Sequence, residues 1–305
     1  MKKALFLALF YTCRLHAQDT TSAPVQDTII TKVSVPITTP IMALPIADRH
    51  GDKVYRMNYK ADLPIILVGG AATVYSFTLI YTKKATPVAD ILNLNKNNIP
   101  SFDRWATKFH DPTTDRISYY PFYAVMPLPL ILLADKTIRK DAGNVGLLYL
   151  ESFAFTGVVY ASAVYFIDRY RPDVYNTDLP MSYRTNGNFR NSFFAGHVAV
   201  VSTSTFFIAK VFDDYHPDSK WKWAVYGGAA AATIGMGYMR LEAGKHFPSD
   251  ILLGAIVGTT SGLLVPQFHK NHDYKKQKWS LMPDFTDKGA GISFNYRFIP
   301  KTEKY

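Results

Sequence analysis

The stretch "MRLEAGKHFPSDILLGA" (residues 239–255) places Arg240, His246 and Asp250 close together and then turns apolar. An arginine grips phosphate with a planar fork of donors. A neutral imidazole can attack phosphorus if its second nitrogen gives its proton to a partner. Pro248 suits the first position of a helix, where its missing N–H has no partner to lose. A helix starting there sets Asp250 one turn beyond His246, where it could accept from the ring. The same helix start would favour a bound anion. The bland alternative is three polar residues at the mouth of a helix.

Two further clusters bear on that choice. "DRYRPDVYN" (168–176) brings Arg169 and Arg171, and "NSFFAGHVAV" (191–200) brings Gly196 and His197. Arg171 and Arg240 are candidate phosphate-binding cations, with Arg169 and Lys245 as further possible ones. His197 is a candidate general acid for a leaving alkoxide. Gly196 would let a backbone N–H approach a phosphate oxygen. Singly, each has a plainer reading as a packed histidine or a snorkelling arginine. Together they would build one site at one end of a helical bundle.

Six apolar stretches set the architecture: 63–81, 117–134 (broken by Pro121, Pro127 and Pro129), 145–167, 193–212, 223–238 and 247–265. Each is near the length of a bilayer span. Glu151, His197 and Lys210 interrupt three of them. An ionisable residue such as Glu151 inside an apolar helix is a functional candidate, and equally a packed structural group. The small residues of "YGGAAAATIGMG" (226–237) would let helices approach closely. The expectation is an all-α, six-helix transmembrane bundle over 62–268, with buried helices of a soluble bundle as the alternative. The connector "SFDRWATKFHDP" (101–112) reads as an amphipathic interfacial helix with Phe102, Trp105, Ala106 and Phe109 on one side.

Composition narrows the partners. The net charge is +10, hydrophobic content 48%, and the single cysteine, Cys13, excludes an internal disulfide. No basic run long enough for a nucleic-acid arm occurs, and the short basic clusters flank apolar segments, so a membrane is expected and nucleic acid is not. "DKTIRKD" (135–141), "KWK" (220–222) and "HKNHDYKKQK" (269–278) lie on the cytoplasmic side by the positive-inside rule. The polar clusters then face outside.

Residues 1–17 have the n-region, short apolar core and Ala17 of an export signal; a retained anchor or a lipid anchor at Cys13 are lesser readings. Residues 18–61 read as an extended or disordered tether. Six spans need that tether in the cytoplasm, whereas a cleaved signal puts it outside. A retained anchor, an incomplete first span or a peripheral protein would each resolve the conflict. Residues 269–305 read as a basic linker and a small β-hairpin, with turn residues at Asp287 to Gly291 before the alternating "ISFNYRF".

The three clusters, in order and spacing, resemble the type 2 phosphatidic acid phosphatase superfamily, over about residues 117–267. Arg171-Pro172 matches its first motif, Gly196-His197 its second, and Arg240, His246 and Asp250 its third. The resemblance implies a six-helix core and a phosphohistidine on His246, with Asp250 orienting it. It makes His197 the general acid and Arg171 and Arg240 the phosphate clamp, with no metal or cofactor. It also implies an extracytoplasmic site at the membrane surface, in a bacterial-type inner membrane, acting on a lipid phosphate. The chain departs from the family at Val164 (lysine), Phe194-Ala195 (Pro-Ser) and Met239 (serine). One cation and two hydroxyls are thereby lost, and Arg169 or Lys245 could replace the charge. The alternatives are a secreted soluble acid phosphatase of the same superfamily and a degenerate, non-enzymatic headgroup binder.

Overall fold

A computed structural model describes residues 53–271, 279–286 and 289–296. Helices dominate. The long ones are α1 (Tyr59–Tyr81), α2 (Pro112–Val125), α3 (Ala142–Phe166), α4 (Gly196–Tyr215), α5 (Trp221–Glu242) and α6 (Pro248–Phe268). They coincide with the six apolar stretches. The second stretch is divided at Pro127 and Pro129 but not at Pro121, which α2 keeps inside it: α2 stops at Val125, and a 3-10 segment, Leu128–Ala134, continues the stretch. Strands β1 (Trp279–Thr286) and β2 (Gly289–Tyr296) pair antiparallel, with Trp279 opposite Tyr296 and Thr286 opposite Gly289.

The bundle is built around α4, whose residues are mostly buried. Helix α6 lies against it through three glycines one turn apart. A Cβ on Gly254 would stand 2.5 Å from the Ala195 carbonyl oxygen, and one on Gly258 2.2 Å from that of Ala199. One on Gly262 would stand 2.6 Å from the Thr203 oxygen. Residues 226–237 pack on α4 through the buried Ala229, Thr233 and Met236 more than through their glycines. Gly227, Gly228 and Gly235 have nothing within 4 Å of a built Cβ, and only Gly237 meets a neighbour, Ile251.

Among the described residues, four segments are long and apolar enough to cross a membrane: Tyr59–Tyr81, Pro112–Ala134, Ala142–Phe166 and Pro248–Phe268. Six were expected. Helix α4 falls short because Ser202, Thr203, Ser204, Thr205, Lys210, Asp213 and Asp214 dilute its apolar residues. Most of these are sheltered inside the bundle. Helix α5 falls short because four glycines, with Lys222, Arg240 and Glu242 at its ends, dilute its apolar residues. Helix α1 is the opposite case, with Leu67, Val68, Val74 and Tyr75 all exposed.

The expected tether ends earlier than residue 61. Tyr55 pairs with Lys270, the Asn271 N–H donates to the Val54 carbonyl at 2.8 Å, and Tyr55 is fully buried with its hydroxyl 2.8 Å from Asp214. The expected signal at 1–17, the tether as far as residue 52, and the linker at 272–278 lie outside the described residues.

The polar ends of the helices sort to two sides. The end of α3, the start of α4 and the α5–α6 connector gather at one end. The starts of α1 and α3 and the ends of α4 and α6 gather at the other, tied by Tyr215 to Asp141 (3.0 Å) and Lys270 to Asp214 (2.7 Å).

Candidate active site

His246 sits in the short α5–α6 connector and is 3% exposed. Its Nδ1 is 2.7 Å from the backbone carbonyl oxygen of Ser192. A carbonyl can only accept, so Nδ1 carries the proton and Nε2 carries the lone pair. Among the described residues Nε2 has no hydrogen-bond partner. Burial first, then the positive charges of Arg240 and Arg171, push the imidazole well below the ordinary histidine range. The ring is a neutral base with its reactive nitrogen free.

Asp250 does not make the expected contact with that ring. Its carboxylate closes a capping box at the start of α6, accepting from the Phe247 N–H at 2.9 Å. It also accepts from the Ser192 hydroxyl at 2.7 Å and pairs tightly with Arg169. The physical reason is the helix start itself: a side chain at the third helical position turns back to the N-cap N–H and away from the preceding histidine. Ser192 therefore joins the two residues, its hydroxyl on Asp250 and its carbonyl on His246. Sequence reasoning missed Ser192, since a backbone carbonyl leaves no mark on residue identity.

His197 occupies the first turn of α4, wedged against Phe122 (centroids 4.3 Å) and Tyr119 (4.8 Å) of α2. Its Nε2 is buried with no hydrogen-bond partner, and Arg240 and Arg171 lie near enough to act on it electrostatically. Gly196 is explained by packing: a Cβ there would fall 2.8 Å from the Tyr160 ring of α3.

The cations divide into two kinds. Arg171 lies over the Phe189 ring at 5.4 Å, and its Nε is buried without a partner. Arg240 is 1% exposed, with Nη1 donating to Asp115 at 2.8 Å and Ser118 at 2.7 Å, while its Nε is also buried and unpartnered. Arg169 and Lys245 are committed elsewhere. Arg169 binds Asp103 (2.7 Å), Ser249 (2.9 Å) and Asp250. Lys245 binds Asp173 (2.9 Å) and the Tyr183 hydroxyl (2.7 Å). Neither is the spare cation the sequence suggested, because buried carboxylates already hold both.

Two of the carboxylates that hold these cations, Asp115 and Asp103, come from places with no motif. Asp115 belongs to α2. Asp103 lies in the 101–112 connector, a short helix (Ser101–Arg104) and a 3-10 turn (Trp105–Lys108), in which Phe102 and Trp105 are exposed but Ala106, expected on the same side, is buried in the core. The Asp103 carboxylate turns inward and accepts from the Ser249 N–H (3.0 Å) and hydroxyl (2.6 Å), clamping the start of α6. Burial would raise the Asp103 pKa, but these bonds and Arg169 hold it below the usual carboxylate range. Of the departures from the motifs, Val164, Phe194 and Ala195 are fully packed. The Val164 carbonyl accepts from Lys83 Nζ at 2.9 Å. That lysine is engaged with Asp168 as well, at 2.8 Å.

A family model described as the PAP2 superfamily matches residues 145–274, the segment that holds Arg171, His197, Arg240, His246 and Asp250. A search of curated proteins gave no match. Among solved structures, Aquifex aeolicus LpxE is 22% identical, with a TM-score of 0.37, over 53% of this chain and 90% of its own. A transmembrane PAP2 type phosphatidylglycerolphosphate phosphatase from Bacillus subtilis is also 22% identical, with a TM-score of 0.42, over 68% of this chain and 94% of its own. Residues 145–274, which carry the three motifs in order, are thus similar to the PAP2 superfamily.

Proposed function

We propose that this protein is a membrane phosphatase that hydrolyses a lipid phosphomonoester or diphosphate through a phosphohistidine on His246. The observation that carries the reading is a set of buried nitrogens without partners. Nε of Arg171, Nε of Arg240 and Nε2 of His197 are all unpaired, beside an imidazole whose own Nε2 is free. An unpaired buried donor costs about 1–3 kcal/mol. Three together, two of them on arginines, favour an anion that would satisfy them.

The steps follow from these positions. Arg171 and Arg240 hold the non-bridging oxygens of the phosphate. The Nε2 lone pair of His246 attacks phosphorus, the N–P bond forms and the P–O bond to the lipid breaks. The leaving alkoxide takes a proton from His197. Ser192 O accepts from Nδ1–H and steadies the ring as it gains positive charge, and Asp250 holds Ser192 in place. Water then attacks the phosphohistidine and yields its proton to His197. The N–P bond breaks, and inorganic phosphate leaves. The order resembles a Ser-His-Asp relay only in that a third group fixes the histidine's tautomer. The likeness to PAP2 lipid phosphatases and the four apolar segments support a lipid substrate and a membrane setting. The basic loops at the far end support a site that faces the periplasm.

The test is phosphate release by purified protein from a panel of phosphatidic acid, phosphatidylglycerol phosphate, a polyprenyl diphosphate and a lipid A phosphate. Wild type should release phosphate from at least one, and His246→Ala should fall to background. His197→Ala should lose about 10²–10⁴-fold, as removal of a general acid does. Equal release from all three proteins would remove the enzymatic reading and leave a headgroup binder.

A further inference from the structure

At the end of the bundle away from His246, three ionisable side chains from three helices converge. Asp62 lies in the first turn of α1, Glu151 within α3, and His269 at the end of α6. One ligand atom from each lies within 4.8 Å of the others. His269 Nε2 is 3.4 Å from Asp62 Oδ1 and 3.5 Å from Glu151 Oε2. We propose that Asp62, Glu151 and His269 form a site for a tetrahedrally coordinated divalent cation of the zinc type, clamping α1 to the core.

The hydrogen bonding of His269 leaves one ring nitrogen available to a cation. His269 Nδ1 is 2.8 Å from the Val265 carbonyl oxygen, so in the neutral ring Nδ1 carries the proton. That leaves the Nε2 lone pair facing two carboxylate oxygens. Lone pairs converging without a cation between them repel. Second-shell carbonyls of this kind fix the tautomer of metal-bound histidines in the same way.

The two distances from the imidazole agree, and the carboxylate oxygens lie within 4.8 Å of each other. A protonated imidazole bonded to a carboxylate would sit at about 2.7–2.9 Å. A tetrahedral ion with bonds of about 2.0–2.1 Å holds neighbouring ligand atoms about 3.3–3.4 Å apart. The observed 3.4 and 3.5 Å match the second figure.

The charge and hydrogen-bond balance point the same way. Glu151 is 8% exposed and its Oε2 is buried without a hydrogen-bond partner, aimed at His269. The second oxygen of Asp62 is spent on the Asn58 N–H at 2.6 Å, which leaves Oδ1 for the cluster. The neighbouring buried acid, Asp214, has two lysines, Lys210 and Lys270. Asp62 and Glu151 share one imidazole, so two carboxylates face at most one positive charge. Buried charge of that kind is costly unless a cation compensates it. The site is not sealed, since the His269 side chain is 15% exposed and offers a way in.

The clamp would act where the fold is weakest. Helix α1 exposes much of its apolar surface and is held to the bundle chiefly along α3. Binding energy at its first turn adds directly to the stability of the folded state.

The experiment uses the tag-free full chain in detergent, stripped with chelator and then titrated with Zn²⁺. One equivalent should bind to the wild type and raise its melting temperature. Glu151→Gln and His269→Ala should weaken binding at least tenfold and abolish the rise. His246→Ala should still bind one equivalent, which separates this site from the phosphatase reading. Co²⁺ should give the intense visible bands of a tetrahedral ion in folded wild type, a result that depends on no variant. The proposal is overturned if the wild type binds no stoichiometric Zn²⁺, if both variants bind as tightly as wild type, or if Mg²⁺ alone stabilises the protein.

Discussion

At the residue scale, His246 and Arg240 each meet a partner that the motifs do not contain. His246 is held neutral in the fold, so its pKa lies below the unfolded value of about 6.5. The unfolded chain then binds a proton that the native chain refuses. The resulting stability is complete above about pH 6.5 and is lost as the pH falls toward the folded value. His246→Gln lacks this titration. Melting curves from pH 8 to pH 5 should therefore show the wild type losing more stability than the variant below about pH 6.5. Parallel curves would contradict a buried neutral imidazole. Arg240 offers a second prediction. Asp115 takes one arm of its guanidinium at 2.8 Å and competes with phosphate for it. Asp115→Asn should tighten competitive inhibition by inorganic phosphate severalfold, measured as a fall in the inhibition constant. It should also lower stability by about 1–3 kcal/mol, the usual cost of leaving a buried charge-bearing group poorly paired. The candidate site was legible in the sequence as far as its motif residues go. Arg171, His197, Arg240 and His246 are read from spacing and lie near one another. The Asp250 contact, the roles given to Arg169 and Lys245, and the presence of Ser192, Asp115 and Asp103 were not legible. Each depends on which buried carboxylate reaches which cation, and that is fixed by helix packing and not by local pattern.

At the element scale, the packing of α6 on α4 separates two kinds of small-residue stripe. Residues 226–237 are richer in glycine and alanine, yet three of their four glycines face open space. The contact is made by Gly254, Gly258 and Gly262, whose spacing of four keeps them on one face of the helix. Both stripes are visible in the sequence, but only the partner helix decides which glycines carry the backbone contact. A side chain at Gly258 would meet Ser202 Oγ at 2.1 Å and the Ala199 carbonyl oxygen at 2.2 Å. Backbone cannot step aside cheaply, so Gly258→Ala should destabilise by about 1–3 kcal/mol or more. Gly228→Ala meets nothing and should be neutral or stabilising by up to about 1 kcal/mol, the helix propensity difference. Thermal melts of the two variants side by side read the contrast. Equal effects would mean that α6 and α4 do not approach so closely.

At the scale of the whole molecule, the helices were legible because apolar length and proline breaks are written locally. Pro248 marks the start of α6, and Pro127 and Pro129 follow the end of α2. The number of segments able to span a bilayer was less legible. Runs of apolar residues in α4 and α5 look the same whether lipid or neighbouring helices cover them, and in α4 it is the neighbours. Helix α1 is where the membrane setting can be decided. Leu67 and Val68 lie near its middle and are 70% and 69% exposed. On a protein surface in water, replacing such a residue with lysine changes stability by about 0.5 kcal/mol or less. At the centre of a span, a lysine costs about 2.5–3.5 kcal/mol to insert. The double variant Leu67→Lys, Val68→Lys doubles that burden in lipid and stays nearly silent in water. Expressed in cells and fractionated after an alkaline carbonate wash, the wild type should remain with the membrane pellet. The double variant should show a marked fall in its membrane-inserted fraction. Recovery of both proteins in the wash, in equal amount, would instead assign the bundle to water and make the exposed face of α1 a surface for another protein.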